Sequence, residues 1–362
     1  MTVFFCWVKS KLYFCNLNMK TRMRHFYIFF VVLFLFTLSC CRRGAETAAV
    51  SEDVMLLEHV GYPQAIFHNG NYYFTFQSLG GDSVELLCTS RLEDLAQARR
   101  RTVWSAERDT MSHFWSPEIH RVGDKWYIYF EGDDGNTDNH HLFVMECADP
   151  DPMTGQFVLK GPIETHAEWN YGIHPSLLQM PTGELYLLWS GWPERRHETE
   201  TQCIYIARME NPWTTSSNRV MISLPDHEWE RQWINPDGHR SAYPIYVNEN
   251  PEAFVSPDGQ RVVVLYSASG IWTVYTAVGM LSAPVTANLL DPAVWVKRQE
   301  PLIEKDSATA PCAVNVWLVP SADGSRTDML YEDKRIVDGN IIRDIRLRRD
   351  IKWTTSGEPI LQ

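Results

Sequence analysis

Five regularly spaced prolines mark this chain, and four of them are flanked by side chains that could move protons. The flanking residues with carboxyl, imidazole or phenol groups are Tyr62, Glu118, His174, Glu249 and Glu252. A pair of carboxyl groups can donate a proton and accept one in the same reaction. Histidine is a candidate base near neutral pH, and a tyrosine assisted by a carboxylate is a candidate nucleophile. These types suit acid–base or nucleophilic catalysis, with Glu249, Glu118, His174 and Tyr62 as catalytic candidates.

A second group of residues has the chemistry to bind a sugar. Tryptophans in turns can stack on the C–H faces of sugar rings, and acidic side chains can accept hydrogen bonds from sugar hydroxyls. The predicted substrate-binding residues are Trp115, Asp133, Asp134, Trp192, Glu252 and Trp272. For each tryptophan the alternative is packing inside the fold.

The prolines open a repeated unit in which an apolar run passes through a turn into a second, aromatic-rich run. The units are 62–66 with 72–74, 116–119 with 126–128, 174–178 with 185–188, 250–254 with 262–265, and 310–311 with 329–331. The prolines stand 54, 58, 76 and 60 residues apart. Short strands at such a period indicate a β-propeller with one sheet per blade. The sequence therefore predicts an all-β, five-bladed propeller.

In a propeller, equivalent positions of the innermost strands meet around one central channel. We therefore expect the residues that flank the prolines to gather near one mouth of that channel. Third strands follow the hairpins at 84–88, 142–145, 203–206 and 277–281, and a short helix is predicted within 92–101. The single period predicts one domain over residues 56–362.

The N-terminal residues have the pattern of an export signal. Basic residues precede an almost wholly apolar run at 26–38, which ends at Ser39-Cys40-Cys41. This pattern predicts a lipoprotein signal peptide within a leader over 1–41, with the true start at Met19 as an option, followed by a flexible tether over 42–55. An uncleaved membrane anchor is the alternative. We expect a monomer at the bacterial cell envelope whose only contact with the membrane is a lipid on Cys40 or Cys41.

Charge and cysteine usage narrow the function further. The net charge is −12 and no basic stripe is present, which argues against a nucleic-acid partner. Outside the leader, the cysteines are Cys88, Cys147, Cys203 and Cys312. They lie in or beside predicted strands and form no CxxC pair, so we expect buried small hydrophobic residues rather than disulfides or a metal site.

Several stretches of the chain form motifs of a known family: Phe114-Trp115-Ser116-Pro117-Glu118-Ile119-His120, Lys125-Trp126-Tyr127-Ile128-Tyr129-Phe130, Asp133-Asp134-Gly135-Asn136, Leu188-Trp189-Ser190-Gly191-Trp192 and Tyr266-Ser267-Ala268-Ser269-Gly270. Through these motifs the chain resembles glycoside hydrolase family 43, in its exo-acting α-L-arabinofuranosidase branch, from about residue 61 to residue 335. The resemblance implies a five-bladed propeller that acts on an oligosaccharide or polysaccharide.

The resemblance also implies three catalytic carboxylates, of which this chain keeps one. The family's aspartate base and its second, tuning aspartate fall on Tyr62 and His174, whereas the glutamate acid falls on Glu249. The family's channel histidine, which organises a metal ion or water, falls on Ala313. We therefore expect no cofactor, although the family's channel can hold a structural calcium or sodium ion.

Two functions remain open from the sequence. The first is a glycosidase of plant-type polysaccharide side chains. In it Glu249 is the acid, and Glu118, Glu252, His174 or Tyr62 activates the water or acts as the nucleophile. The second is an inactive carbohydrate-binding propeller, because the loss of a positioned base costs ~10²–10⁴ in rate. A propeller that binds proteins is the third and weakest alternative.

Overall fold

The computed structural model describes residues 53–362, apart from 79, 106–110, 169, 196–198, 235–239, 274, 305–311 and 362, and only the backbone at 234, 240–243 and 312. The predicted leader and most of the predicted tether lie outside the described residues. Within the described ranges, no helix has the length and apolar character needed to cross a membrane.

Five sheets follow one another along the chain, after a first strand β1 (Val54–Glu58). Blade one contains β2 (Gly61–His68), β3 (Asn71–Gln77), β4 (Ser83–Thr89) and β5 (Arg99–Ser105). Blade two contains β6 (Ser112–Val122), β7 (Lys125–Asp133), β8 (His141–Cys147) and β9 (Phe157–Ile163). Blade three contains β10 (Ile173–Gln179), β11 (Leu185–Gly191), β12 (Glu200–Asn211), β13 (Thr214–Thr215) and β14 (Val220–Ser223).

The last two blades are built in the same way. Blade four contains β15 (Arg231–Ile234), β16 (Arg240–Val255), β17 (Arg261–Ala268), β18 (Ala277–Pro284) and β19 (Val296–Lys297). Blade five contains β20 (Cys312–Pro320), β21 (Thr327–Val337), β22 (Asn340–Trp353) and β23 (Pro359–Ile360). Short 3₁₀ helices in the described loops are Leu92–Gln97, Thr137–Asn139, Glu228–Glu230 and Pro292–Val294.

The strands within each blade pair in antiparallel fashion, as short connections require. Blades three and four are joined where the ends of β12 and β16 pair in parallel. Strand β1 pairs with β22, the third strand of blade five, so that the first described strand completes the last blade. This arrangement confirms the predicted all-β, five-bladed propeller.

Local sequence explains the hairpins and the core. The first hairpin turns at Asn69-Gly70, where both residues have positive φ (48° and 79°), as a two-residue turn between twisted strands requires. Aromatic side chains such as Phe74, Trp126 and Trp189 are completely buried. Their strands are apolar on both faces because each blade is covered by a neighbour on either side.

The predictions for the cysteines, the short helix and the tether can also be compared with the structure. Cys88, Cys147 and Cys203 are buried free thiols, as predicted, and the side chain of Cys312 lies outside the described residues. The helix predicted within 92–101 is a 3₁₀ helix that ends at Gln97, because the following residues pair with β4 as strand β5. Val54 and Met55, which we predicted as the end of the tether, already belong to β1.

Candidate active site

Each innermost strand carries a residue in the left-handed backbone region next to its proline or at the equivalent position. These residues are Tyr62, Ser116, His174, Asn250 and Asn315, with φ between 43° and 55°. Each lies at an interruption of the register between the first and second strands of its blade. A bulge of this kind kinks the strand and re-aims its side chains. The five residues therefore form a ring around the channel.

The fifth member of this ring corrects our placement of the last repeat. In blades one to four the left-handed residue precedes a proline, but in blade five Asn315 precedes Val316. Pro311, the proline that we assigned to the fifth repeat, lies outside the described residues. Ala313 packs against the apolar cluster that joins blades four and five. Asparagine tolerates positive φ better than most residues, so this blade forms its bulge without a proline.

Side chains from the second strands hold the ring in place. The backbone N–H of Tyr62 donates to Glu332 Oε2 (3.0 Å), and the N–H of Asn250 donates to Ser190 Oγ (3.0 Å). The N–H of Asn315 donates to Ser267 Oγ (3.2 Å). In each case the acceptor belongs to the preceding blade around the ring. At these three positions the strained backbone is thus fixed by the neighbouring blade.

Glu118 and Glu252 lie in a deeper ring, one residue beyond the prolines, and not in the cavity described below. The space between them measures only about 10 Å³, which is too small for a sugar. Glu252 accepts a hydrogen bond from the N–H of Leu318 in blade five, and Glu118 lies 2.9 Å from His120 Nε2. Burial raises the pKa of both carboxyl groups. This placement favours structural roles and does not support the catalytic and binding roles that we predicted.

Above the two rings a cavity of about 430 Å³ opens at one end of the channel. It contains six of the predicted site residues: Tyr62, Trp115, His174, Trp192, Glu249 and Trp272. The polar residues that share its wall and that we did not predict include Asp138, Arg195, Glu200 and Arg343.

Glu249, His174 and Tyr62 form a buried cluster at this cavity. The rings of Tyr62 and His174 stack with centroids 5.3 Å apart. His174 Nδ1 lies 3.9 Å from Glu249 Oε2, and His174 Nε2 lies 3.9 Å from Glu131 Oε1. Glu249 Oε1 accepts a hydrogen bond from the N–H of Ile271 (2.7 Å). The imidazole therefore lies between two carboxyl groups.

Burial decides the protonation of this cluster. It raises the pKa of Glu249 to about 8, against the smaller opposing effects of the Ile271 N–H and of Lys334. It raises the pKa of Glu131 to about 8 as well, although the N–H of His174 and the Ser116 hydroxyl oppose this shift. Burial lowers the pKa of His174 to about 3 and raises that of Tyr62 well above 10. At neutral pH the cluster therefore has protonated carboxyl groups, a neutral imidazole and a neutral phenol.

Asp133 and Asp134 stand outside the cavity and support its wall. Asp133 is buried and lies 2.9 Å from His113 Nδ1 and 3.3 Å from Nδ1 of His140. The His140 ring packs on Trp115 at a centroid distance of 4.1 Å. Asp134 is exposed and accepts from the Asn139 amide (3.0 Å) within the same loop. The structure therefore gives this acidic pair no contact with the predicted sugar pocket.

Trp192 is covered on both faces. Tyr171 stacks in parallel on it at 3.8 Å, and the Arg195 guanidinium lies 4.1 Å from its centroid. Two groups at these distances cannot share one face of the ring. The indole N–H donates to Glu200 Oε1 (3.1 Å). Trp192 therefore offers its edge to the cavity, not the open face that we predicted.

Trp272 is the cavity tryptophan with the most open surface, at 38% exposure. We expect Trp272→Ala to weaken binding of an oligosaccharide about tenfold, because the ring loses its contact with the sugar face. Isothermal calorimetry measures this change. Trp233→Ala is the matched control, since Trp233 is 50% exposed and does not line the cavity. Equal loss in both variants would contradict the assignment.

The described residues do not fit a channel metal ion. No group of three or more His, Cys, Asp or Glu side chains within the described ranges is arranged to hold one. Asn315, which occupies the ring position in blade five, donates its amide to Glu332 Oε2 (2.9 Å). The buried ammonium of Lys334 lies 3.5 Å from Oε1 of the same carboxylate. A cationic side chain thus occupies this part of the channel.

A five-bladed propeller with a protonated glutamate in a tryptophan-walled cavity has the form of a propeller glycosidase. The sequence profile of the glycosyl hydrolases family 43 matches residues 57–357, and the chain belongs to this family.

Proteins similar to this chain are named as arabinofuranosidases. The chain is 29% identical over 327 residues to an alpha-L-arabinofuranosidase B of Pyricularia oryzae, which covers 87% of this chain and 64% of that protein. It is 31% identical over 303 residues to an extracellular exo-alpha-(1->5)-L-arabinofuranosidase of Streptomyces avermitilis, covering 80% and 59%. This chain thus spans less than two thirds of the length of both relatives. The crystal structure of an alpha-L-arabinofuranosidase from Lactobacillus brevis superimposes with a TM-score of 0.74 at 25% identity, covering 85% of this chain and 96% of that one.

Proposed function

We propose that this chain is a glycoside hydrolase that removes α-L-arabinofuranosyl groups from the side chains of arabinose-containing polysaccharides. The names of the relatives support the sugar, and the cavity of about 430 Å³ above a closely packed channel supports binding of a chain end. Because this chain is shorter than those relatives, the proposal concerns the propeller alone.

Glu249 carries this proposal as the general acid. A general acid must hold its proton at the working pH until the leaving oxygen takes it. The pKa of about 8 keeps Glu249 protonated at neutral pH, and its carboxyl group lines the cavity. These are the properties that a proton donor to a glycosidic oxygen requires.

The water-activating group is Glu200 in this proposal. Tyr62 and His174 are poor bases, since the phenol keeps its proton and an imidazole with a pKa of about 3 binds a proton weakly. Both carboxylate oxygens of Asp138 accept hydrogen bonds from the Arg195 guanidinium. Glu200 lines the same cavity, accepts from Trp192 and Gln202, and lies 3.6 Å from Arg195. It is the remaining carboxylate among the described residues of this wall.

One observation favours a second function, carbohydrate binding without hydrolysis. The positions that resemble the family's two aspartates hold a neutral phenol and a weakly basic imidazole at the cavity. A protein with this cluster would still bind sugars through Trp272 and the polar wall. Its turnover would be lower by the contribution of the missing base, ~10²–10⁴.

Kinetics and binding on the same samples test the two functions. We expect arabino-oligosaccharide binding by calorimetry, together with turnover of nitrophenyl α-L-arabinofuranoside well below the ~1–10³ s⁻¹ of most enzymes. On arabino-oligosaccharides, whose leaving group needs a proton, the rate should fall as pH rises through about 8, because Glu249 then loses its proton. Binding without any turnover would establish the second function. Absence of both on arabinan, arabinoxylan and their oligosaccharides would contradict both proposals.

We also propose a lipid-anchored monomer at the cell envelope. The Streptomyces relatives are named extracellular, which agrees with export. The lipid itself rests on the sequence pattern at Cys40 and Cys41. Mass spectrometry of the mature N-terminus would detect the acylated cysteine, and an unmodified N-terminus would contradict the anchor.

A further inference from the structure

Strand β21 places an ion pair under the cavity that the acid–base scheme does not use. Glu332 and Lys334 are two residues apart on this strand, so both side chains point to the same face. Both are completely buried, and Lys334 Nζ lies 3.5 Å from Glu332 Oε1. Burying an ammonium costs several kcal/mol unless partners compensate for the lost water. Its presence here therefore calls for a specific partner and a specific role.

Glu332 connects this ammonium to the active site. Its Oε2 accepts the backbone N–H of Tyr62 (3.0 Å) and the Asn315 amide (2.9 Å). These two residues are neighbours in the left-handed ring. An unpaired Glu332 would carry a buried charge at the point where the ring is held. The ammonium thus stabilises the acceptor that fixes the Tyr62 bulge.

A second cation faces the same carboxylate. Arg343 stands directly opposite Lys334 on β22, and its Nε lies 3.7 Å from Glu332 Oε1. Like charges on directly opposed residues destabilise a sheet. Arg343 is partly exposed and lines the cavity, whereas Lys334 is buried beneath it. Arg343 and Glu249 line the same cavity, and the positive charges of Lys334 and Arg343 lower the pKa of Glu249 against the larger effect of burial. This arrangement puts fixed positive charge beside the proposed acid.

We propose that the ammonium group of Lys334 is a permanent positive charge beneath the cavity. It fixes the Tyr62 bulge through Glu332 and acts electrostatically on Glu249. Because this charge is already present, this part of the channel takes no metal ion. Lys334 is a positioning residue, since it acts through Glu332 and Glu249. Only its effect on turnover depends on the proposed glycosidase function. Its effects on stability, on metal binding and on the titration of Glu249 do not.

The titration of Glu249 separates an electrostatic role from a merely structural one. Groups from four other blades act on or lie near the Glu249 carboxyl: Tyr62, Glu131, His174, Glu200, Lys334 and Arg343. Lys334 and Arg343 lower the pKa of Glu249, and Glu200 raises it. Removal of the ammonium should therefore move the titration of Glu249 to higher pH.

The experiment uses Lys334→Met, Lys334→Arg and a matched control. Lys297→Met is that control, because Lys297 also pairs with a buried carboxylate, Glu230 (2.8 Å), but does not line the cavity. Infrared or ¹³C NMR difference titration against Glu249→Gln reads the Glu249 carboxyl without substrate. Melting temperatures are measured with a chelator and with millimolar Ca²⁺.

We expect the wild type to melt at the same temperature with chelator and with Ca²⁺. Lys334→Met should melt several degrees lower and titrate Glu249 at higher pH, and Lys334→Arg should restore both values in part. Lys297→Met should melt lower without moving the Glu249 titration. Ca²⁺ stabilisation of the wild type, or an unchanged titration in Lys334→Met, would overturn the proposal. A protein that meets these expectations but does not hydrolyse arabinosides would contradict the glycosidase function alone.

Discussion

The double variant Tyr62→Asp/His174→Asp should hydrolyse nitrophenyl α-L-arabinofuranoside about 10²-fold faster than the wild type, or more. Both residues line the cavity beside Glu249, and their rings stack on each other. Aspartates at these two places would supply the base and the tuning carboxylate that the family resemblance implies. A positioned base contributes ~10²–10⁴ to the rate. The measurement is kcat/KM of the double variant and of both single variants.

The backbone should accept these changes. Tyr62 and His174 have φ of 55° and 54°, a region that aspartate adopts more readily than tyrosine. The bracing bond from the Tyr62 N–H to Glu332 does not involve the replaced side chain. Ser116→Asp is a suitable control, because Ser116 has the same conformation in blade two but does not line the cavity. A folded, sugar-binding double variant with unchanged turnover would show that the missing aspartates do not limit the rate.

The architecture was predictable because the repeated proline marks a backbone feature. In four blades the proline follows a left-handed residue, and the repeat could be counted from these positions. Blade five was anchored wrongly because the bulge needs a left-handed residue and not a proline. Asn315-Val316 meets that need, and sequence alone gave no reason to prefer it over Pro311.

Depth along the channel could not be predicted from sequence. Glu118 and Glu252 flank the same prolines as the ring residues, yet they lie below the cavity. A bulge changes the direction of successive side chains, so proximity in sequence does not fix proximity to the sugar. Glu131 and Glu332 were missed because they lie on second strands, away from the prolines beside which we looked for site residues. Each ends an aromatic run of a second strand, Tyr129-Phe130-Glu131 and Leu330-Tyr331-Glu332, and this shared pattern was the available signal.

The cavity wall depends on contacts between blades, which no local pattern reveals. Arg195 and Glu200 come from a polar stretch that looks like an ordinary solvated loop. Arg195 contacts Asp138 of blade two and the face of Trp192. Trp192 lines the cavity, but Tyr171 and Arg195 cover the faces of its ring. Such pairings arise from closure of the ring and require the structure.

Glu249→Gln should lower hydrolysis of arabinan by ~10² or more, because glutamine cannot donate a proton to a poor leaving group. The variant keeps an oxygen to accept the Ile271 N–H, so fold and sugar binding should persist. Nitrophenyl arabinofuranoside should be affected less, since its leaving group needs little protonation. The measurement is made in the wild type and in the Tyr62→Asp/His174→Asp background, where the expected higher rate gives a wider measurable range.

Glu252→Gln is the control, because Glu252 lies below the cavity and its loss should lower stability instead. If Glu249→Gln kept full activity on arabinan while Glu118→Gln or Glu252→Gln abolished it at unchanged stability, the proton donor would lie in another blade and its assignment to Glu249 would be wrong.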